Sequence, residues 1–292
     1  MWIKRRNRLA GAIGLSTIED RHGRQGMTTD TTPAAPTDQL AAPAPRVRRI
    51  ATDRPWTWLT LGWRDMMANK AISLSYGAVL TLLGWILALL LFEVGTAWAI
   101  LPATAGFFIM APLLAAGLYE TSRRRQAGES PTLAEAMGGF RRNGIQIAMM
   151  GALLLVIHLF WVRIAGLIFM LFFGINFAPS LVELPFAMLQ SPQLFPFLVV
   201  GTGFGFALAA VTFAVSAVSF PMLVDREDVS FLEAVTVSIQ AVMENWRAMA
   251  LWAGLIVVFT GLALAPLFLG LVVALPLIGH ATWHAYKDLV ER

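Results

Sequence analysis

Two histidines are the sharpest chemical candidate in this sequence. His280 and His284, in PLIGHATWHAYKDLV, stand four residues apart, so a helix carries both rings on one face, where two imidazoles can share a metal ion. A third ligand must come from another element, and Asp225, Glu227 and Asp228 lie at the matching depth. No acidic residue separates the histidines as in a zincin helix. Their neighbours Trp283 and Tyr286 equally suit an anchoring motif at the headgroup level, which needs no metal.

The other intramembrane polar candidates are His158 and Arg163 in LLLVIHLFWVRIAGLIF, five apart and therefore on different faces. Ionisable groups inside a bilayer are costly and functional by default. Arg163 falls about 27 Å along a helix begun at Ile145, near the far interface, where a long side chain snorkels; contact with a ligand or ion is the other reading. His158 lies deeper and reads as a hydrogen-bonded interior histidine.

The remaining chemistry is limited. The chain has no cysteine, which removes disulfides, thiolate metal sites and thiol nucleophiles. It shows no paired intramembrane carboxylates, no nucleophile beside a base and no phosphate-cradling glycine loop. No enzyme activity and no cofactor are expected. Few buried ionisable groups also weaken a proton-coupled transporter, without touching a channel or a carrier of apolar substrates.

The elements that position these residues are membrane helices. The 292 residues are 57% hydrophobic and 14% charged, with mean hydropathy +0.67, where a soluble domain carries roughly 25% charge. Apolar runs exceed the roughly 18 residues that mark a span. The fold class is an all-α membrane protein of six transmembrane helices arranged as three hairpins. The spans are read at 71–92, 96–118, 145–172, 195–222, 247–264 and 266–285, the last two divided by a turn near Pro266. With both termini cytoplasmic, every Lys and Arg except Arg163 falls inside, as positive-inside charge placement requires.

Before the spans, residues 1–45 form a tail expected to be disordered, its part 27–45 rich in Thr, Pro and Ala. Residues 1–26 hold the excess of basic residues behind the +4 net charge, and read either as an upstream extension ahead of a start at Met27 or as a basic tail. The balanced charge beyond them argues against nucleic acid as a partner. Residues 46–70 form an interfacial amphipathic segment, with Trp56, Trp58 and Trp63 as headgroup-level anchors. Residues 71–286 make the membrane domain, and 287–292 a cytoplasmic tail.

Three stretches suggest an internal repeat. MMANKAISLSYGAVLTLL, GFRRNGIQIAMMGALLLV and VMENWRAMALWAGLIVVF each place an asparagine (Asn69, Asn143, Asn245) seven residues before a large residue (Tyr76, Met150, Trp252) and a small one (Gly77, Gly151, Ala253). Thr132 with Glu135, and Ser230 with Glu233, have capping-box spacing. Pro112, Pro221 and Pro276 kink the even-numbered spans. Three copies in one orientation would form a parallel pseudo-threefold bundle. Gly201, Gly205 and Ala209 open a small-residue ridge suited to close helix packing.

WTWLTLGWRDMMANKAISLSYG and PLIGHATWHAYKDLV resemble the predicted bacterial integral membrane proteins grouped as domain of unknown function 2189, over a range from about Arg48 to the C-terminus. The resemblance implies a multi-pass bacterial inner-membrane protein and carries no activity, cofactor or catalytic residue. The reading favoured on these grounds is a non-enzymatic scaffold or assembly partner of a membrane complex. Its partners would be the lipid bilayer and another membrane protein or a second copy. A transporter or channel for a small solute is the alternative, and metal or haem handling through the histidine pair the third.

Overall fold

The computed structural model describes residues 45–94, 100–174 and 183–291. The expected N-terminal tail, including residues 1–26, lies outside them, and the architecture below belongs to the unit Ala44–Arg292. Among the described residues all regular structure is helical, apart from one isolated antiparallel bridge between Val47 and Val290.

Helix α1 (Arg54–Ala68) starts on Pro55, whose missing N–H costs nothing in a first turn. Pro55, Trp58, Leu59, Gly62, Asp65 and Met66 are its buried positions, a stripe of helical period that contains one carboxylate. Gly62 allows the closest approach: a Cβ there would come within 2.6 Å of the Ala281 backbone nitrogen. That backbone belongs to α13 (Leu271–Leu289), the last helix of the chain.

Asn69 ends α1 and starts α2 (Lys70–Glu93) with φ −121° and ψ 45°. The same backbone recurs twice. Asn143, between α6 (Gly139–Arg142) and α7 (Gly144–Phe173), has φ −125° and ψ 54°. Asn245, between α11 (Phe231–Glu244) and α12 (Trp246–Leu264), has φ −116° and ψ 34°. These values leave the helical region, so each asparagine is a bend between two helices. Tyr76, Met150 and Trp252, seven residues beyond, are all buried.

The prolines mark a second set of breaks. Pro112 lies in α3 (Ile100–Leu114), which gives way at Ala115 to α4 (Ala116–Gln126). Tyr76 hydroxyl donates to the Leu114 carbonyl at that break. Pro221 lies in α10 (Ser219–Asp225), separated from α9 (Leu194–Ser216) at Ala217–Val218, four residues upstream, where a proline ring collides with the ladder. Ser238 of α11 fills the gap: its hydroxyl accepts from Val218 N–H at 3.1 Å and donates to Ala214 carbonyl at 2.7 Å. Pro276 sits inside α13, and the Val272 carbonyl four residues earlier is where a Cβ on Gly77 would collide.

Four helices are long and apolar enough to cross a membrane: α2, α7, the α9–α10 run Leu194–Asp225, and α12. The other two expected spans correspond to α3 and α13 and do not meet that measure. The described part of α3 is 15 residues, and the second half of α13 carries His280, Thr282, His284, Lys287 and Asp288. The final apolar run is two helices, as the turn near Pro266 requires. Leu267 and Phe268 close that turn at φ 52° and 68°, a left-handed backbone costing about 1–3 kcal/mol per bulky residue. Trp85 Nε1–H donates to the Leu267 carbonyl at 2.9 Å and holds it. Helices α5 (Leu133–Met137) and α8 (Leu184–Leu189) complete the fold; α5 begins with the full Thr132–Glu135 capping box.

Candidate functional site

The polar side chains gather at one end of the bundle, where α1, α2, α4 and α13 meet. His280 and His284 do share a face of α13, and that face is turned onto α1. His280 is fully buried, as are Ser73 of α2 and Ser122 of α4. Its Nε2 lies 2.9 Å from Ser73 Oγ and its Nδ1 lies 2.8 Å from Ser122 Oγ. Ser122 donates onward to Asp65 Oδ2 at 2.6 Å. His284 Nε2–H reaches the same Asp65 oxygen at 2.9 Å, and Arg125 Nε–H reaches Oδ1 at 2.9 Å.

Proton counting fixes the direction of this chain. Ser122 has one proton and gives it to Asp65, so its oxygen accepts the proton on His280 Nδ1. In the neutral ring the Nε2 lone pair of His280 then accepts from Ser73, so that both ring nitrogens are occupied. Burial works against charge on Asp65, but hydrogen bonds from His284 and Ser122 outweigh it and hold the carboxyl below its usual range.

Three more carboxylates are held by partners within the chain. Glu120, almost wholly buried, accepts from Arg123 and Arg124 at 2.7 Å; burial opposes its charge, and these hydrogen bonds still keep its carboxyl low. Asp288 takes a fork from Arg54 at 2.6 and 2.9 Å and the Trp58 indole N–H at 2.9 Å. Asp225 accepts from Tyr286 hydroxyl at 2.7 Å and Lys287 at 2.9 Å.

The three asparagine bends belong to this layer. Asn245 accepts from Ile50 N–H and donates to Arg48 carbonyl, both at 2.9 Å, fixing the segment that leads into α1. Asn143 donates to Arg226 and Val229 carbonyls at 3.2 and 2.9 Å, fixing the segment that leads into α11. The side-chain amide of Asn69 bonds only within its own turn, to the Asp65 carbonyl at 3.2 Å.

Several expectations are corrected here. The acid beside the histidines is Asp65; Asp225 is held by Tyr286 and Lys287, and Glu227 pairs with Arg142 at 3.0 Å. Among the described residues no three His, Cys, Asp or Glu side chains are placed to hold a metal ion. Nor is Ser122–His280–Asp65 a nucleophile relay. There the carboxylate orients the histidine and the histidine takes the serine proton; here the serine gives its proton to the carboxylate and is sealed from any substrate. Trp58 is not an interfacial anchor. It is fully buried, edge-on to Trp252 at 5.7 Å, because it falls on the buried stripe of α1, while Trp56 and Trp63 on the opposite side are 54% and 47% exposed.

The remaining candidates lie in the apolar part. His158 packs against Gly106 of α3, where a Cβ would meet its ring, and its Nδ1 is buried with no partner. Arg163 is exposed on α7. Gly205 takes the Trp161 ring of α7, its Cβ position lying 3.1 Å from Cη2, whereas Gly201 has open space beside it and Ala209 is exposed. Part of the ridge is therefore spent within the chain.

Residues 100–225 match the model of the family described as "Predicted integral membrane protein (DUF2189)". The match runs from α3 to the end of α10 and includes Glu120 and Ser122; the two stretches at the ends of the resemblance lie outside it. No curated protein and no solved structure gives a match.

Proposed function

We propose that this integral membrane protein is a non-enzymatic scaffold, a rigid platform on which another membrane protein or a second copy assembles. One observation carries the reading: at the polar end, the carboxylates of Asp65, Glu120, Asp225 and Asp288 and both nitrogens of His280 are consumed by partners within the chain. A catalytic or transport site keeps some polar groups uncommitted for its substrate. This layer commits them to holding helices.

The architecture behind the proposal is six spans in three modules. Each is an interfacial helix, an asparagine bend, a span, a turn and a proline-broken span. The near-equal backbone angles of Asn69, Asn143 and Asn245 support it. So does the way Asn143 and Asn245 each grip the segment leading into another module's interfacial helix. The α10–α11 connection is covalent; the Val47–Val290 bridge serves the same joint between α13 and α1. In this reading the polar end is cytoplasmic, and Trp56, Trp63, Leu133, Met137, Leu232 and Met243, all exposed on the short helices, rest in the headgroup layer.

Two measurements test it. The natural chain lacks cysteine, so single cysteines at Ser130, Glu227 and Glu183 can be labelled from either side of the membrane; the first two should react from one side and the third from the other. In mild detergent the protein should purify at a fixed ratio with a membrane-protein partner or as a defined oligomer. Isolation as a single copy under several mild conditions would count decisively against a scaffold.

A further inference from the structure

Two of the asparagine bends bring charged segments together, and they do so in opposite ways. Asn143 donates to the Arg226 and Val229 carbonyls, so the residues between, Glu227 and Asp228, lie at the bend that starts α7. Arg142, next to that asparagine, pairs with Glu227 at 3.0 Å. This joint neutralises itself.

Asn245, itself buried, holds the Ile50 N–H and the Arg48 carbonyl, both at 2.9 Å. It thereby brackets Arg49 at the bend that starts α12. The charge on this bend is again an arginine, Arg247, whose guanidinium lies 5.3 Å from the centre of the Trp246 ring. Here like meets like. Arg49 and Arg247 are both exposed, and neither guanidinium has a carboxylate or hydrogen-bond partner among the described residues. The acids nearby are spent elsewhere: Glu291 pairs with Arg48 at 3.4 Å, and Glu244 takes the Gln240 amide at 2.7 Å. Asp53, at the head of α1, pairs with neither arginine. Two like charges held at one joint repel, and an anion set between them relieves it.

The setting selects the anion. Trp246 and Arg247 are the first two residues of α12, a helix long and apolar enough to cross a membrane. Trp246 is 61% exposed at that helix end, the headgroup level that tryptophan prefers. Farther along, α12 exposes Val257 and Val258, as a wall against acyl chains would.

We infer that Arg49 and Arg247 together bind the phosphodiester of an anionic phospholipid in the leaflet at the polar end. The planar forks of two guanidinia suit phosphate oxygens. A zwitterionic headgroup brings an ammonium that the second guanidinium repels, so the pair selects a headgroup without one, as in phosphatidylglycerol. The inference needs α12 to span, and neither a scaffold role nor a particular sidedness.

The test titrates the full-length chain in mild detergent with phosphatidylglycerol and phosphatidylcholine of identical acyl chains, counting bound lipid by native mass spectrometry. The natural chain should bind phosphatidylglycerol about thirtyfold more tightly, at roughly fivefold for each cation. Arg49→Gln and Arg247→Gln should each lose about fivefold of that preference, with the melting temperature in lipid-free detergent unchanged. Arg64→Gln and Lys70→Gln, at exposed cations near the other end of α1, should keep it. Equal losses in all four variants would mean diffuse surface charge and overturn the inference, as would equal binding of the two lipids by the natural chain. Glycerol phosphate bound as tightly as the lipid would make this a site for a free anion, and overturn it too.

Discussion

On α2, Ser73, Tyr76, Gly77 and Thr81 are buried against protein, while Leu82, Leu83, Ile86, Leu87, Leu89 and Leu90 are exposed. The helix changes surroundings part-way along. The same contrast separates whole helices: 28% of the apolar window of α12, which lies beside α1 and α13, is buried, against 6% for α7. In water the exposed half would collapse or aggregate. In lipid it carries no such penalty, because acyl chains are as apolar as leucine and helix association must come from packing and hydrogen bonds. Stability is therefore concentrated where Trp58, Trp252, Tyr119 and Tyr286 are buried beside hydrogen-bonded polar groups; the indole N–H of Trp283, buried in the same region, has no partner.

That contrast can be broken most sharply at two neighbouring tryptophans. Trp58→Ala removes a buried indole and leaves Asp288 short of a donor, and should destabilise the detergent-purified protein by about 3–5 kcal/mol in a denaturant titration. Trp56→Ala, two residues away, should stay within about 0.5 kcal/mol. Asp65→Ala comes next, at about 3 kcal/mol, because His284, Arg125 and Ser122 all lose a buried acceptor.

Acid should reach the same end of the molecule. Asp65 and Glu120 have depressed carboxyl pKa values when folded, so they contribute stability that is fully present above the unfolded carboxylate range. It is lost as pH falls through the depressed values. Melting temperature should therefore drop in acid, and Asp65→Asn should flatten part of that slope. Asn245→Ala should cost about 1–3 kcal/mol by freeing Ile50 N–H and Arg48 carbonyl, and Asn69→Ala less, since Asn69 grips only its own turn. The smallest effect belongs to the lipid-facing half: Leu90→Ala should change stability by less than about 0.5 kcal/mol.

Hydropathy and local spacing made much of this legible. The bends at Asn69, Asn143 and Asn245 and the capping box at Thr132 depend on residues a few positions apart, so they can be read along the chain. The four-residue spacing of His280 and His284 puts both on one face, but what that face meets is not readable along the chain, since Asp65 comes from the opposite end of the sequence. A signal for it did exist. Asp65 falls on the stripe of Pro55, Trp58, Leu59, Gly62 and Met66, and a carboxylate on a buried stripe implies a partner. The same stripe separates Trp58 from Trp56 and Trp63, which composition alone treats alike.

The bridge between Val47 and Val290 bears on the order of assembly during synthesis. The segment before α1 hydrogen-bonds to Leu289 and Glu291, and α1 itself packs on α13, so the first described helix completes its docking only once the last has been made. Loop closure over almost the whole chain comes late in folding. Until then Arg54 and Trp58 lack Asp288, and Asp65 lacks His284. A chain stalled or cut before Trp283 leaves them in that state, and a quality-control protease could use the unclosed end to tell an unfinished molecule from a complete one.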